Sequence, residues 1–155
     1  MEEGEGWNVG GGVTFRNCIR QPKKINRGYQ QLFVWQDAKE LYKLTRELMK
    51  SLPFDYKKVV ANQIGSVDSV QRNIAEGYCR KSINEYLQFL NFALGSLGEP
   101  VSAMHVYKDA RQIKDSEFEA WDKLAFKLEN GLIKLIKRLQ EKKKTGDWED
   151  SFTNF

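Results

Sequence analysis

Residues 63–97, QIGSVDSVQRNIAEGYCRKSINEYLQFLNFALGSL, contain a predicted reversal between two helices. Residues 63–77 have the pattern of a helix end, residues 78–81 form a tight turn, and a second helix opens at Ser82. Ser82 and Glu85 are spaced as a capping box, in which the hydroxyl accepts from the Glu85 N–H and the carboxylate accepts from the Ser82 N–H. The chain is therefore predicted to turn back on itself here.

The helix after this turn, predicted at 84–111, is apolar on more than one face. Its first apolar residues are Tyr86, Leu87, Phe89, Leu90, Phe92, Ala93, Leu94 and Leu97. A helix covered on one side only has a narrower stripe, so this helix should be central. Pro100 should kink it, because proline lacks an N–H and crowds the carbonyl four residues earlier. Small residues are expected to let neighbouring backbones approach, namely Gly95, Ser96, Gly98, Ser102 and Ala103.

Two helices are predicted before the turn. The first, at 35–52, has one buried face of Val34, Ala38, Leu41, Thr45, Leu48 and Leu52, and Pro53 forbids its continuation. The second, at 56–77, has a stripe of Val60, Ile64, Val67, Ile74 and Tyr78, with Gln71 in the skipped position. Phe33 and Trp35 are expected to lock the start of the first helix onto the bundle, and base stacking is the alternative role for these rings.

A fourth helix is predicted to open at Ser116, whose spacing to Glu119 forms a second capping box. Its apolar residues repeat as the seam of an antiparallel bundle, at Phe118, Trp121, Ala125, Leu128, Leu132, Leu135 and Leu139, widened by Leu124 and Ile136. The extra width suggests burial against another subunit. The sequence therefore predicts an all-α fold. It is an antiparallel up-down four-helix bundle at 32–144, with a flexible basic arm at 1–31 and an acidic, aromatic tail at 145–155.

Several of these segments resemble the four-helix-bundle proteins encoded by intervening sequences in 23S rRNA genes. The resemblance covers roughly residues 32–140 and rests on FVWQ at 33–36, NIAEG at 73–77, EY at 85–86, FL at 89–90 and ALGSL at 93–97. It implies an up-down bundle that assembles into rings, often pentamers, with no known enzymatic activity. A relative in diversity-generating retroelements is a reverse-transcriptase accessory that binds nucleic acid. The chain departs from the family pattern at three places. The family usually has a proline at the position of Gln71 and basic residues near Gly65 and Ser66. Pro100 interrupts a helix that usually runs straight in the family.

The composition excludes several classes of protein. A chain of 155 residues is long enough for one domain with a sizeable core. Cys18 and Cys79 stand apart without a CxxC spacing, which argues against a disulfide framework and fits a reducing cytoplasm. Neither a run of 18 apolar residues nor a basic-then-apolar leader is present, so no membrane span and no signal peptide are expected.

The net charge of +4 is distributed unevenly. Residues 32–133 hold 14 basic and 14 acidic residues, so the excess positive charge flanks the bundle. The two basic clusters are Arg16, Arg20, Lys23, Lys24 and Arg27 before it, and Lys134, Lys137, Arg138, Lys142, Lys143 and Lys144 at the end of its last helix. An up-down bundle brings these clusters to one end, where they are predicted to bind nucleic-acid phosphates. The alternative is that both are solvated segments without a ligand.

Residues with catalytic spacing are scarce. No Gly-rich phosphate loop, zinc spacing, HExxH or Ser/His/Asp set is present, and His105 is the only histidine. Asn73, Glu76 and Gly77 form the most distinctive polar motif. Asn73 and Glu76 are interpreted as hydrogen-bonding groups that hold the corner after the second helix or a subunit contact, because no nucleophile or second carboxylate stands beside them. The sequence therefore predicts no catalytic residue, no metal and no cofactor.

Two functions remain open at this point. The first is a non-enzymatic homo-oligomeric adaptor, with a pentamer favoured, that binds RNA or a ribonucleoprotein through the basic flanks. The second is a protein-binding scaffold, such as an accessory subunit of a reverse transcriptase, without direct contact to RNA. In either case the protein partner would be a reverse transcriptase or a component of the ribosomal context. The tail, with Asp147 and Trp148, is either a frayed end or a segment that docks onto a basic surface.

Overall fold

The computed structural model describes residues 27–80 and 82–148. It contains four α-helices, α1 (Phe33–Met49), α2 (Lys57–Tyr78), α3 (Ile83–Asp109) and α4 (Asp115–Thr145). Short 3-10 turns precede α1 at Gly28–Gln31 and α2 at Phe54–Tyr56, and no strand occurs in the described residues. The predicted all-α class is therefore confirmed. Most of the predicted arm, at 1–26, and the end of the predicted tail, at 149–155, lie outside the described residues.

Ser82 caps α3, but only one half of the predicted capping box forms. The Glu85 N–H donates to the Ser82 hydroxyl over 3.2 Å, as predicted. The Glu85 carboxylate accepts from that same hydroxyl over 3.1 Å, rather than from the Ser82 N–H. The serine therefore satisfies one of the free N–H groups of the first helical turn and ends the short connection from α2.

The predicted cap at Ser116 is wrong. α4 begins at Asp115, and the Lys114 N–H donates to the Glu117 carboxylate over 3.2 Å. Glu117 satisfies a backbone N–H at the helix start without a serine hydroxyl, so the helix opens earlier than the serine spacing suggested. At the other end, α4 stops at Gly146, whose φ of 73° is a left-handed conformation that favours glycine.

The helices pack in a ring in chain order. α2 lies beside α1 and α3, and α4 lies beside α3 and α1, whereas the backbones of the diagonal pairs α1–α3 and α2–α4 do not approach each other closely in the part of the chain described. Short connections between neighbours make this the predicted antiparallel up-down bundle, which is confirmed. The start of α1 and the end of α4 therefore lie at one end of the bundle, called the terminal end below.

The α4 seam is buried largely as predicted, with one exchange. Phe118, Trp121, Ala125, Leu128, Leu132 and Leu139 are all buried. Leu135 is only half-buried, and Ile136 takes its place in the core. Ile136 follows Phe118 by 18 residues, which is five full turns of about 3.6 residues. It therefore points in the same direction as Phe118, whereas a strict heptad repeat drifts away from a straight helix.

The buried face of α2 is rotated from the predicted stripe. Its buried residues are Gln63, Val67, Val70, Ile74 and Gly77. The predicted Val60 and Ile64 are half-buried, and Tyr78 is exposed. Gln63 can be buried because its Nε2 donates to the Pro100 carbonyl of α3 over 3.1 Å. An apolar pattern does not reveal that partner, and the prediction was wrong for this reason.

Close approach of α2 and α3 occurs at Gly77 rather than at the glycines of α3. A Cβ on Gly77 would lie 2.8 Å from the Phe89 Cβ, so only glycine fits there. Gly95 and Gly98 face open space, and the predicted approach of a neighbouring backbone is wrong for them within one subunit. α3 runs through Pro100 as one helix, and the predicted kink there stays a prediction.

One polar pair lies at the centre of the bundle. The Trp121 Nε1 donates to the Thr45 hydroxyl over 2.8 Å, and that hydroxyl donates to the Leu41 carbonyl over 2.7 Å. All three residues have no exposed surface. The hydroxyl therefore serves as both acceptor and donor, and it ties α4 to α1 deep in the core.

Candidate nucleic-acid interface

The last four turns of α4 carry an exposed group of cations, which we call the α4 basic cluster: Lys134, Lys137, Arg138, Lys142, Lys143 and Lys144. None of the six lies within 4 Å of a carboxylate in residues 27–80 and 82–148. Earlier in the same helix, by contrast, the Lys127 Nζ lies 2.7 Å from the Asp37 carboxylate of α1. Lys127, in the middle of α4, is therefore paired across the bundle, whereas, in the described residues, the cations at the end of the helix are not.

The position of α1 explains this difference. A Cβ on Gly131 would lie 3.0 Å from the Val34 Cγ1, which places the first turn of α1 beside Gly131. α4 continues from there to Thr145, about 21 Å further at 1.5 Å per residue. The first turn of α1 contains no acidic residue. The α1-facing side of the last turns of α4 consequently has no helix with a carboxylate opposite it.

An open cleft, called the Phe33 cleft below, separates the start of α1 from α4. It has a volume of about 430 Å³ and is lined by Gln31, Leu32, Phe33, Val34, Gly131, Lys134, Leu135 and Arg138. Phe33 is 81% exposed, so the prediction that it locks the helix start onto the bundle is wrong. Trp35 does pack as predicted, with its ring centroid 5.4 Å from that of Tyr29. Sequence reasoning could not separate the two, because both aromatics flank Val34 at the helix start.

The remaining cations of the cluster extend around the terminal end. Lys143 and Lys144 line a second cleft, of about 410 Å³, together with Gln140 and with Leu87 of α3. Of the predicted N-terminal cluster, only Arg27 is described, and it is exposed just before the first 3-10 turn. Arg16, Arg20, Lys23 and Lys24 lie outside the described residues, so their predicted convergence with α4 stays a prediction.

Aromatic rings pack Tyr29 and Trp148, which flank the four helices, against the bundle. The ring centroid of Tyr29, in the first 3-10 turn, lies 6.4 Å from that of Tyr78. The Tyr86 ring centroid lies 6.2 Å from that of Tyr78 and 6.2 Å from that of Trp148. Burial, and to a smaller extent the neighbouring Tyr78, raises the pKa of Tyr86 to about 12. Tyr29 and Trp148 are therefore both held at the terminal end. Trp148 was assigned to the tail, but it packs on the core.

The polar motif at the end of α2 contains two different kinds of residue. The Asn73 side chain is half-buried and donates to the Ser69 carbonyl over 2.9 Å and to the Ser69 hydroxyl over 3.1 Å. That hydroxyl lies 3.0 Å from the Ser96 hydroxyl of α3. This arrangement supports the interpretation of Asn73 as a structural group. Glu76, in contrast, is half-exposed and pairs with Arg80. Arg80 also lies 3.8 Å from the Glu85 carboxylate of α3, so these ion pairs span the corner between α2 and α3.

The comparison with protein families matches the region of the chain that forms the bundle. A family model described as 23S rRNA-intervening sequence protein matches residues 30–144, which is most of the chain. The chain belongs to the 23S rRNA-intervening sequence protein family. No curated protein matches it. The matched residues include α1, α2, α3 and all of α4 except its last residue, and they contain all six residues of the α4 basic cluster. The candidate interface therefore lies within the family domain.

Other chemistry receives little support in this member of the family. The His105 Nε2 lies 3.8 Å from the Asp122 carboxylate, and its ring packs 4.8 Å from Phe118. Within residues 27–80 and 82–148, no group of three His, Cys, Asp or Glu side chains is placed to hold a metal ion. In that same part of the chain, no helix is both long enough and apolar enough to cross a membrane.

This family member also exposes apolar side chains on the outer faces of α3 and α4. Phe92, Val106 and Phe126 are each about half exposed or more. Phenylalanine is one of the aromatic residues that are enriched in protein contact surfaces. The predicted burial of α3 and α4 against another subunit therefore has candidate residues, although the assembly itself stays a prediction.

Proposed function

We propose that this chain is a non-enzymatic, homo-oligomeric adaptor that binds RNA through the terminal end of its bundle. The observation that carries this proposal is the α4 basic cluster, whose six cations have no carboxylate partner in the described residues. Unpaired lysine and arginine side chains on one surface are the electrostatic feature that binds a phosphate backbone. The family's description, which names 23S rRNA intervening sequences, supports an RNA context.

In this proposal the cations contact phosphates rather than base edges. Binding should then be largely indifferent to sequence and should weaken steeply as salt rises. Arg16, Arg20, Lys23, Lys24 and Arg27 would add contacts from the chain segment that enters at the same end. In a ring, with a pentamer as the leading assignment, each subunit would repeat the cluster, and several weak contacts would combine into useful affinity.

The test is an RNA titration at several salt concentrations. The variant in which Lys142, Lys143 and Lys144 are all changed to glutamine should bind more weakly, and each lost contact should flatten the log–log salt slope by about 0.7 on single-stranded RNA. A variant lacking residues 1–26 tests the preceding cluster in the same way. The proposal is refuted if both variants bind RNA with the same affinity and the same salt slope as the intact protein.

A matched control separates position from net charge. Lys57, Lys58 and Lys123 are exposed lysines outside the α4 basic cluster, and Lys57 and Lys58 lie at the opposite end of the bundle. Changing these three to glutamine removes the same charge as the test variant does. The salt slope should stay close to that of the intact protein, since the lost charges are far from the terminal end.

Exposed apolar residues favour a second candidate function. Phe92, Val106 and Phe126 could instead contact a protein partner, as in an accessory subunit of a reverse transcriptase that does not touch RNA. Light scattering separates this from self-assembly. A pentameric mass that falls in a Phe126→Ser variant would place this surface between subunits. A monomeric mass, together with no salt-dependent RNA binding, would favour the scaffold for another protein.

A further inference from the structure

Phe33 is an aromatic residue at the terminal end that the fold does not use. It is 81% exposed, whereas its neighbours Val34 and Trp35 are turned into the bundle. The start of α1 is anchored by Trp35 against Tyr29, so the Phe33 ring is not needed to hold it. An exposed phenyl ring beside a cleft offers a flat apolar face to a ligand.

The charge around this ring defines what could occupy the cleft. Lys134 and Arg138 line the cleft and lack carboxylate partners in residues 27–80 and 82–148. The start of α1 has no acidic residue in its first turn and no side-chain cap, so its partial positive charge adds to theirs. A second copy of the chain would need an acidic face with an apolar centre to fit here. A nucleotide supplies both parts, an anionic phosphate and a planar base.

We infer that the Phe33 cleft binds one unpaired nucleotide of single-stranded RNA, with the base stacked on the Phe33 ring and the adjoining phosphates at Lys134 and Arg138. The inference rests on the proposed function and adds the form of RNA that the terminal end selects. Bases in a duplex are stacked on one another, so only an unpaired base can offer its face to a side chain. Lys134 and Arg138 lie four residues apart on α4, about 6 Å along the helix, and so line the same side of the cleft.

The experiment measures binding of two short RNAs to the intact protein and to the Phe33→Ala variant. One RNA is a six-nucleotide oligouridylate, and the other has the same backbone with abasic ribose at every position. Stacking of one base on an aromatic ring contributes about 1 to 3 kcal/mol to binding. The variant, which lacks the ring, should therefore lose about 5- to 160-fold in affinity for the oligouridylate. The abasic RNA should bind both proteins equally, since it has no base to stack.

The salt slope gives a second readout that separates stacking from charge. Phe33→Ala should weaken binding without changing the slope, because loss of a stacked base releases no counterion. The Lys134→Gln and Arg138→Gln double variant should flatten the slope by about 1.4, from two lost contacts at about 0.7 each. A general loss of structure would move both quantities together and would lower the melting temperature as well.

Phe54→Ala is the matched control. Phe54 is 79% exposed and lies at the opposite end of the bundle, close to Lys57, so it offers a similar ring beside a cation. Its substitution should leave the affinity for both RNAs unchanged. An equal loss in the Phe54 and Phe33 variants would overturn the inference, because it would show that any exposed ring contributes.

The outcomes distinguish this inference from the proposed function. Binding that depends on Lys134 and Arg138 but not on Phe33 would overturn the stacking site and leave the RNA adaptor standing. Equal loss of oligouridylate and abasic binding in Phe33→Ala would also overturn it. A fall in particle mass in Phe33→Ala would assign the ring to a subunit contact instead. No binding of either RNA by the intact protein would overturn both proposals.

Discussion

The Thr45→Val substitution removes the acceptor to which the Trp121 Nε1 donates over 2.8 Å. Both side chains have no exposed surface, so water cannot replace the lost partner. A buried donor left without a partner costs about 1 to 3 kcal/mol, and valine has nearly the shape of threonine, so no large cavity adds to this cost. The Leu41 carbonyl loses only its contact with the hydroxyl. We therefore expect the free energy of unfolding to fall by about 1 to 3 kcal/mol.

Urea unfolding followed by circular dichroism measures this loss, and a double-mutant cycle assigns it. In a Trp121→Phe background the indole donor is absent, so Thr45→Val should then cost less than about 0.5 kcal/mol. Thr145→Val, at the exposed end of α4, is the matched control and should also change stability by less than about 0.5 kcal/mol. An equal cost of Thr45→Val in both backgrounds would refute the assigned hydrogen bond.

Three further outcomes are expected. Gly77→Ala should destabilise the fold, because the added Cβ would lie 2.8 Å from the Phe89 Cβ. Gly95→Ala adds a Cβ in open space and should stabilise its helix by roughly 0.5 to 1 kcal/mol. Thermal melts of the two variants compare these effects directly. Asn73→Ala should lower the free energy of unfolding by about 1 kcal/mol, and Glu76→Ala should lower it by less than about 1 kcal/mol because Glu76 is half-exposed. A larger loss for Glu76→Ala than for Asn73→Ala in urea unfolding would contradict this order. Because the pKa of Tyr86 is raised from 10.0 to about 12 in the folded state, the contribution of this proton to stability should be complete below pH 10 and should be lost as the pH rises toward about 12. Melting temperature measured against pH should therefore decline less in Tyr86→Phe than in the intact protein over this range.

The sequence predicted the candidate site only in part. It located the α4 basic cluster, because six lysines and arginines within the eleven residues 134–144, against one glutamate, can be recognised without tertiary information. It did not reveal that Phe33 is exposed beside that cluster. Trp35 packs against Tyr29 of the preceding 3-10 turn, and the apolar pattern of α1 does not contain that contact. The N-terminal basic residues before Arg27 stay a prediction.

The amino-acid sequence alone determined the number of helices, their order and their antiparallel arrangement. Apolar residues at helical spacing, Pro53 after the first helix and the Ser82 cap before the third are local signals, and short connections leave few ways to pack four such helices. Only the tertiary structure decided which side of each helix is buried. Gln63 is buried because Pro100 supplies its partner, and Gly77 because α3 approaches there. Ile136 displaces Leu135 because a straight helix of 3.6 residues per turn departs from a heptad repeat over five turns. Which residues of a helix are buried depends on the neighbouring helices that pack against it, and the apolar pattern of one helix does not describe those neighbours.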